Sequence, residues 1–151
     1  MAIRQKTVIS IRMSGHATSH SHCVVSARDL RLTIDEPIER GGTNLGFSPT
    51  ETAFASLVGC TNTIGHKCAH KLGIDIGNLE FDMEVDFDRR GVLLQEEIEV
   101  PFKAIRLVVT ASGPAGQSEL DQVAAETEKY CAVSKMYKNA GTEVEVSWIA
   151  K

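Results

Sequence analysis

Redox or nucleophilic chemistry in this chain would rest on two thiols, one closing the run SPTETAFASLVGC at positions 48–60 and one inside EKYCAVSKMY at positions 128–137. A cysteine attacks electrophiles as its thiolate, whereas a protonated, buried cysteine packs as a small hydrophobe. Each thiol must therefore be judged by the element that holds it. Cys60 lies about three turns from the start of its helix, beyond the reach of the helix dipole. A reactive Cys60 thus requires a nearby cation or hydrogen-bond donor, and core packing is the alternative. Cys131 falls where one helix gives way to another, a position at which a thiol pKa can be lowered. It too has an alternative as a packing residue. Cys23 and Cys68 complete a set too spread out for a disulfide framework, and no CxxC pair suggests a zinc or thioredoxin-like site.

His66 and His70 stand four residues apart in HKCAH, as zinc-binding histidines on a helix do. Lys67 occupies the place where the metalloprotease motif needs glutamate, which excludes that reaction. Both imidazoles are expected in solvent. A second group, His16, His20, His22 and Cys23 in HATSHSHC, fits no standard metal spacing and reads as a solvated hairpin tip. Glu51 is the carboxylate in the first half of the long helix, and a role in capping the helix already accounts for it.

The elements that must position these groups follow from patterning. KTVISIRMS, HCVVSA and LRLTID between Lys6 and Ile34 predict three short antiparallel strands. The loop DEPIERGGTNLG, rich in glycine, leads to Ser48 as N-cap, Pro49 at the first helical position and Glu51 at the third, a capping box. This helix should run to about Leu72 and stop at Gly73. TAFASLVGCTNTIG, over positions 52–65, carries no charge on any face, which predicts a helix surrounded by protein, with a second subunit supplying part of the cover. A strand pair is expected over 79–88 and 100–112. A second helix should bury Leu120, Val123, Ala124 and Thr127, and a short third helix should close at Gly141. The last strand, TEVEVSWIA, should place Val144, Val146 and Trp148 on one face. The order βββ, α, ββ, α, α, β is α+β, and no linker divides the 151 residues, so one domain is expected over 1–151.

Composition narrows the function. A net charge of −4 with interspersed basic residues argues against nucleic acid as a partner. The sequence has no apolar run of about 18 residues, and MAIRQKTVISIRMSG lacks the features of a signal peptide, so a cytoplasmic protein without membrane attachment is expected.

DEPIERGGTNLGFSPTETAFASLVGC and EKYCAVSKMY together resemble the OsmC/Ohr family of cysteine-based peroxidases. The first matches the family's loop, its proline-started central helix and its GC motif; the second matches its second-cysteine motif. The resemblance implies the OsmC-like fold, an intertwined homodimer whose antiparallel sheets wrap two long central helices, with active sites at the subunit interface. It also implies that Cys60 attacks an organic hydroperoxide and that Cys131 condenses with the resulting sulfenic acid. A small dithiol or a dihydrolipoyl protein would then reduce the disulfide, with no cofactor and no metal. In the peroxidase branches a catalytic glutamate occupies the place of Thr50. Here Glu51 follows one residue later, turned by about 100° along the helix. HATSHSH replaces the segment where those branches carry an arginine, with Arg28, Arg31 and Arg40 nearby, and CAVS replaces CPV. These departures resemble the less characterised OsmC-like branch. Two rivals stand beside the thiol peroxidase: a binding or sensing protein holding a small molecule on the same fold, and a structural dimer stabilised by metal through its histidines.

Overall fold

The computed structural model describes residues 6–151; Met1–Gln5, the first part of the amino-terminal stretch read above, lie outside the described residues. The chain forms two compact units, divided at Phe54 and Ala55. The first strand of the amino-terminal unit is displaced from its expected place. Residues 6–13 enter no strand, and β1 is Ser14–Ala17, followed by β2 (Cys23–Ala27) and β3 (Leu30–Ile34). These make an antiparallel meander in the order β1-β2-β3, with Gly15 opposite Val25 and Val25 opposite Leu32. KTVISIRMS has the composition of a strand, but a strand forms only where a neighbour takes its backbone hydrogen bonds. Val8, Ile11 and Met13 are accordingly exposed. His16 thus lies in β1, while His20 and His22 occupy the turn, where Thr18 Oγ1 and His22 Nδ1 are 2.7 Å apart.

The loop after β3 is built around a buried acid. Asp35 is fully buried, and its carboxylate accepts hydrogen bonds from the backbone N–H groups of Glu36 (2.9 Å), Thr43 (3.0 Å) and Leu45 (3.2 Å), and from the Thr43 hydroxyl. The Asp35 N–H in turn donates to the Phe47 carbonyl at 3.0 Å. A 3-10 turn, Ile38–Arg40, fills the bend, and Gly42 passes so close that a Cβ there would stand 1.8 Å from the Glu36 oxygen. Four donors on one carboxylate favour its charged form, chiefly through the Thr43 hydroxyl, and hold its pKa far below 3.8 despite burial. A depressed carboxylate pKa contributes stability that is fully present above the unfolded value and is lost as pH falls below it. Asp35→Asn should therefore lower the melting temperature at pH 7 and flatten its fall below about pH 3.8, the reference carboxylate value. Thermal unfolding of both proteins from pH 7 to pH 2 checks this; parallel curves would contradict it.

α1 (Pro49–Leu72) begins as the sequence predicts. The Ser48 N–H donates to Glu51 Oε2 at 2.8 Å, and the Glu51 N–H donates to Ser48 Oγ at 3.3 Å. Gly73, at φ 72°, ends it in the left-handed conformation that glycine adopts without strain.

The carboxy-terminal unit holds β4 (Leu79–Phe87), β5 (Phe102–Ala111), α2 (Gln117–Tyr130), α3 (Ala132–Asn139) and β6 (Glu143–Ala150). The strands form one sheet, β4-β5-β6, antiparallel between β4 and β5 and parallel between β5 and β6. The sequence reading expected antiparallel sheets; α2 and α3 supply the long crossover that a parallel neighbour requires. Ile105, Leu107, Val109 and Ala111 are buried at alternate positions of β5, and Leu120 and Val123 of α2 and Leu57 of α1 are buried as well. Leu120, Val123 and Thr127 are buried as the periodicity of α2 requires, and Trp148 is the buried residue of β6.

A single chain supplies part of the cover expected for α1. Within one chain it buries a single stripe, Leu57, Thr61, Gly65, Cys68 and Ala69, while Ala55, Ser56 and Gly59 are exposed. An uncharged face is compatible with burial but does not produce it; the rest of the chain covers one side only.

Candidate thiol site

Cys60 and Cys131 are brought together in the carboxy-terminal unit. Cys60 is half-buried on α1 and Cys131 is buried; both are free thiols, and their side chains interact. Cys131 has the double position its sequence suggests. It is the C-cap of α2, its N–H bonded to the Thr127 carbonyl at 2.9 Å, and the N-cap of α3, its extended backbone (φ −69°, ψ 104°) turning the chain between the two helices.

The electrostatics of Cys131 oppose each other. Burial is the largest influence and pushes its thiol pKa up, because a thiolate loses its hydration there. The backbone N–H of Ser134, and more weakly that of Val133, pull it down as amides at the start of α3, although no side-chain capping hydrogen bond closes. Contact with Cys60 raises it further, and the net shift is upward. The amides that can lower a thiol pKa at a helix start are present, and burial outweighs them.

A cavity of about 290 Å³ opens beside Cys131. Ala124 and Thr127 of α2, Ser134 of α3, and Val146 and Trp148 of β6 line it, while Cys60 does not. At its edge Glu128 of α2 and Lys138 of α3 form an ion pair. Trp148 also contacts the helix that carries Cys60: a Cβ on Gly65 would stand 2.6 Å from its ring, so glycine there allows the indole against the α1 backbone. The cavity was not legible from sequence. Its one signal was Trp148 on the inward face of β6, a large ring needing a small residue opposite.

The remaining candidates are not among the residues that line the cavity. Glu51 is in the amino-terminal unit, its carboxylate occupied by the Ser48 N–H, and this bond, the Ser48 hydroxyl and the charge of Arg40 hold its pKa below 4.5. Arg28, at φ 57°, forms the turn between β2 and β3; Arg31 is exposed on β3; and Arg40 pairs with Glu36 at 3.0 Å. His66 and His70 are exposed, and the His66 nitrogens face the carbonyls of Asn62 (3.0 Å) and Gly77 (3.1 Å). Among the described residues no cluster of three or more histidine, cysteine or acidic side chains is arranged to hold a metal ion, and no helix is long and apolar enough to cross a membrane.

No curated protein matches the chain in sequence. Solved structures match its fold over nearly its full length. An OsmC-like protein from Mycoplasma pneumoniae is 14% identical, with a TM-score of 0.76 over 93% of this chain and 98% of that one. An organic hydroperoxide resistance protein OsmC from Legionella pneumophila is 19% identical, with a TM-score of 0.68 over 97% and 99%. The organic hydroperoxide resistance protein OhrB of Bacillus subtilis is 18% identical, with a TM-score of 0.62 over 95% and 98%. At these identities the likeness establishes the shared α+β fold. The family model described as OsmC-like protein matches residues 42–147, a span that includes the whole of the long helix, both interacting thiols and every residue lining the cavity except Trp148, and the chain belongs to that family.

Proposed function

We propose that the protein is a thiol-dependent peroxidase that reduces organic hydroperoxides, with Cys60 as the attacking thiol and Cys131 as the resolving one. The observation that carries this reading is the contact between these two side chains, far apart in sequence and joined in the fold. The Cys60 thiolate attacks one oxygen of the O–O bond; the bond breaks, the alkoxide leaves and takes a proton as alcohol, and Cys60 becomes a sulfenic acid. The Cys131 thiolate then attacks the Cys60 sulfur, hydroxide leaves as water after protonation, and a disulfide remains. A dithiol supplies the two electrons that restore both thiols. The names of the Legionella and Bacillus proteins, which refer to organic hydroperoxide resistance, favour this substrate class. Consumption of cumene hydroperoxide with dihydrolipoamide, lost in Cys60→Ser, tests the reading; full activity in that variant would refute it. Glu51 enters as a carboxylate whose charge assists the reaction, and Glu51→Gln tests it separately.

The reading includes a homodimer acting in the cytoplasm. Exposed apolar residues of the amino-terminal unit, Val8, Ile11, Met13 and Phe47, and the uncharged exposed positions Ala55, Ser56 and Gly59 of α1 favour a second copy as their cover. Light scattering should give twice the mass of one chain across the micromolar range; a monomer at those concentrations would contradict the assembly. The cavity beside Cys131 favours a second reading, a protein that binds a small apolar molecule without turnover. Native mass spectrometry showing a retained ligand, together with no peroxide consumption, would select it.

A further inference from the structure

The His66 ring is held between two acceptors. A carbonyl oxygen can only accept, so Nδ1, 3.0 Å from the Asn62 carbonyl one turn earlier on α1, carries its hydrogen and donates it there. In the neutral ring this leaves Nε2 with a lone pair, and Nε2 stands 3.1 Å from a second acceptor, the Gly77 carbonyl. Two acceptors at that distance repel unless a positive species joins them, either a second ring proton or a metal ion bound by both. Two observations favour the metal. Ligands about 2.1 Å from one ion stand about 3.0 Å apart at a right angle and about 3.4 Å apart at the tetrahedral angle, and 3.1 Å lies between. His70, one turn further along the same face of α1, lines the same hollow of about 290 Å³ as His66, Asp75 and Gly77.

The turn after α1 fixes the carbonyl. Gly77 lies at φ 61°, its N–H donates to Asp75 Oδ1 at 3.0 Å, and a Cβ on it would stand 2.5 Å from the Gly113 nitrogen. The Gly113 N–H donates to the Ile76 carbonyl at 3.0 Å, which ties the preceding peptide as well. Asp75 adds negative charge beside the hollow, while Lys71, at the end of the helix, is committed to Glu126 at 2.6 Å. We propose that His66 Nε2, the His70 imidazole and the Gly77 carbonyl hold a divalent transition-metal ion, with water at its remaining positions. Two imidazoles and one main-chain oxygen suit nickel, copper or zinc, whereas magnesium and calcium take oxygen ligands. The bond from Nδ1–H to the Asn62 carbonyl is the outer contact that orients a ligating histidine. With only two side-chain ligands the site is open and its ion exchangeable, unlike the closed four-ligand sites that hold structural zinc. Bound there, the ion ties the end of α1 to the turn that leads into β4.

Ni²⁺ is the probe, added to the full-length protein after its accessible thiols are blocked with iodoacetamide. Paramagnetic broadening of backbone amide signals locates the ion. Signals of residues 62–78 should broaden before those around His16, His20 and His22, the other imidazoles of the chain. In calorimetry, His66→Ala and His70→Ala should each weaken binding by at least about tenfold, the loss that removal of even an outer partner produces, and His20→Ala should leave it unchanged. Ni²⁺ should raise the melting temperature of the parent protein and not that of His70→Ala. His70 is exposed, so the metal-free melting temperature of His70→Ala should match the parent and separate lost binding from lost folding. Broadening centred on residues 16–23, parental affinity in either His66→Ala or His70→Ala, or a melting temperature that Ni²⁺ does not move would overturn the proposal.

Discussion

Cys60→Ser is expected to abolish hydroperoxide turnover, lowering kcat/KM by about a thousandfold or more, equivalent to roughly 4 kcal/mol of transition-state stabilisation. A serine hydroxyl is far less acidic than a thiol, and an alkoxide attacking an O–O bond lacks the soft, polarisable character of the sulfur nucleophile. Cys131→Ser should behave differently. The first attack needs only Cys60, so one equivalent of peroxide should still be consumed and the sulfenic acid should be trapped on Cys60 by dimedone. Steady-state turnover should then fall, because the internal route to the disulfide is gone.

The raised pKa of Cys131 adds a sign to this prediction. Resolution needs the Cys131 thiolate, whose fraction below its pKa rises about tenfold for each pH unit. Burial moves that pKa upward, so the rate of disulfide formation should climb with pH to beyond the range of an ordinary cysteine. Rapid-quench measurement from pH 6 to pH 9 checks it, and a rate flat across this range would contradict it. Glu51→Gln keeps an acceptor for the Ser48 N–H and removes the charge. If the carboxylate assists the reaction, turnover falls with little change in melting temperature; unchanged turnover assigns Glu51 to the helix cap alone.

The parts of this arrangement that could be read from sequence are those with local causes. Ser48, Pro49 and Glu51 specify a helix start because every donor and acceptor in the capping box lies within four residues. The stripe of α2 and the alternation of β6 are likewise written in periodicity, and each appears with the predicted face inward. Asp35 was not legible, since its meaning depends on Thr43 and Leu45 arriving from across a loop whose composition signals only irregularity. KTVISIRMS misled for the related reason that alternation reports a strand-like composition, while pairing depends on a neighbour. The relation between Cys60 and Cys131 came from family resemblance, because no spacing rule links two thiols on different helices. The cavity depended on the angle between α2, α3 and β6, which no single segment encodes.

The contact that joins α1 to β6 should be the most sensitive structural point near the thiols. Gly65 is buried, and a Cβ there would meet the Trp148 ring at 2.6 Å and 3.2 Å. Trp148 is 4% exposed, is paired through its backbone with Val109 and lines the cavity beside Cys131, which is open space next to its ring. Ala at position 65 gains about 1 kcal/mol of helix propensity against an overpacking cost of about 1–3 kcal/mol, and the two partly cancel. Gly65→Val adds two further methyl groups and recovers less propensity, so a net loss of about 2–3 kcal/mol is expected, with a fall in melting temperature of roughly 5–10 °C for a domain of this size. Trp148→Phe alone should also destabilise, by leaving space the smaller ring does not fill. Combined, the two substitutions should be less harmful than their sum by about 1 kcal/mol or more, because the smaller ring makes room for the new side chain. Strict additivity in this cycle would mean that Gly65 and Trp148 do not form the contact through which α1 is seated. If they do, Gly65→Val should also slow disulfide formation, since Cys60 lies on the same helix and must approach a Cys131 held by two others.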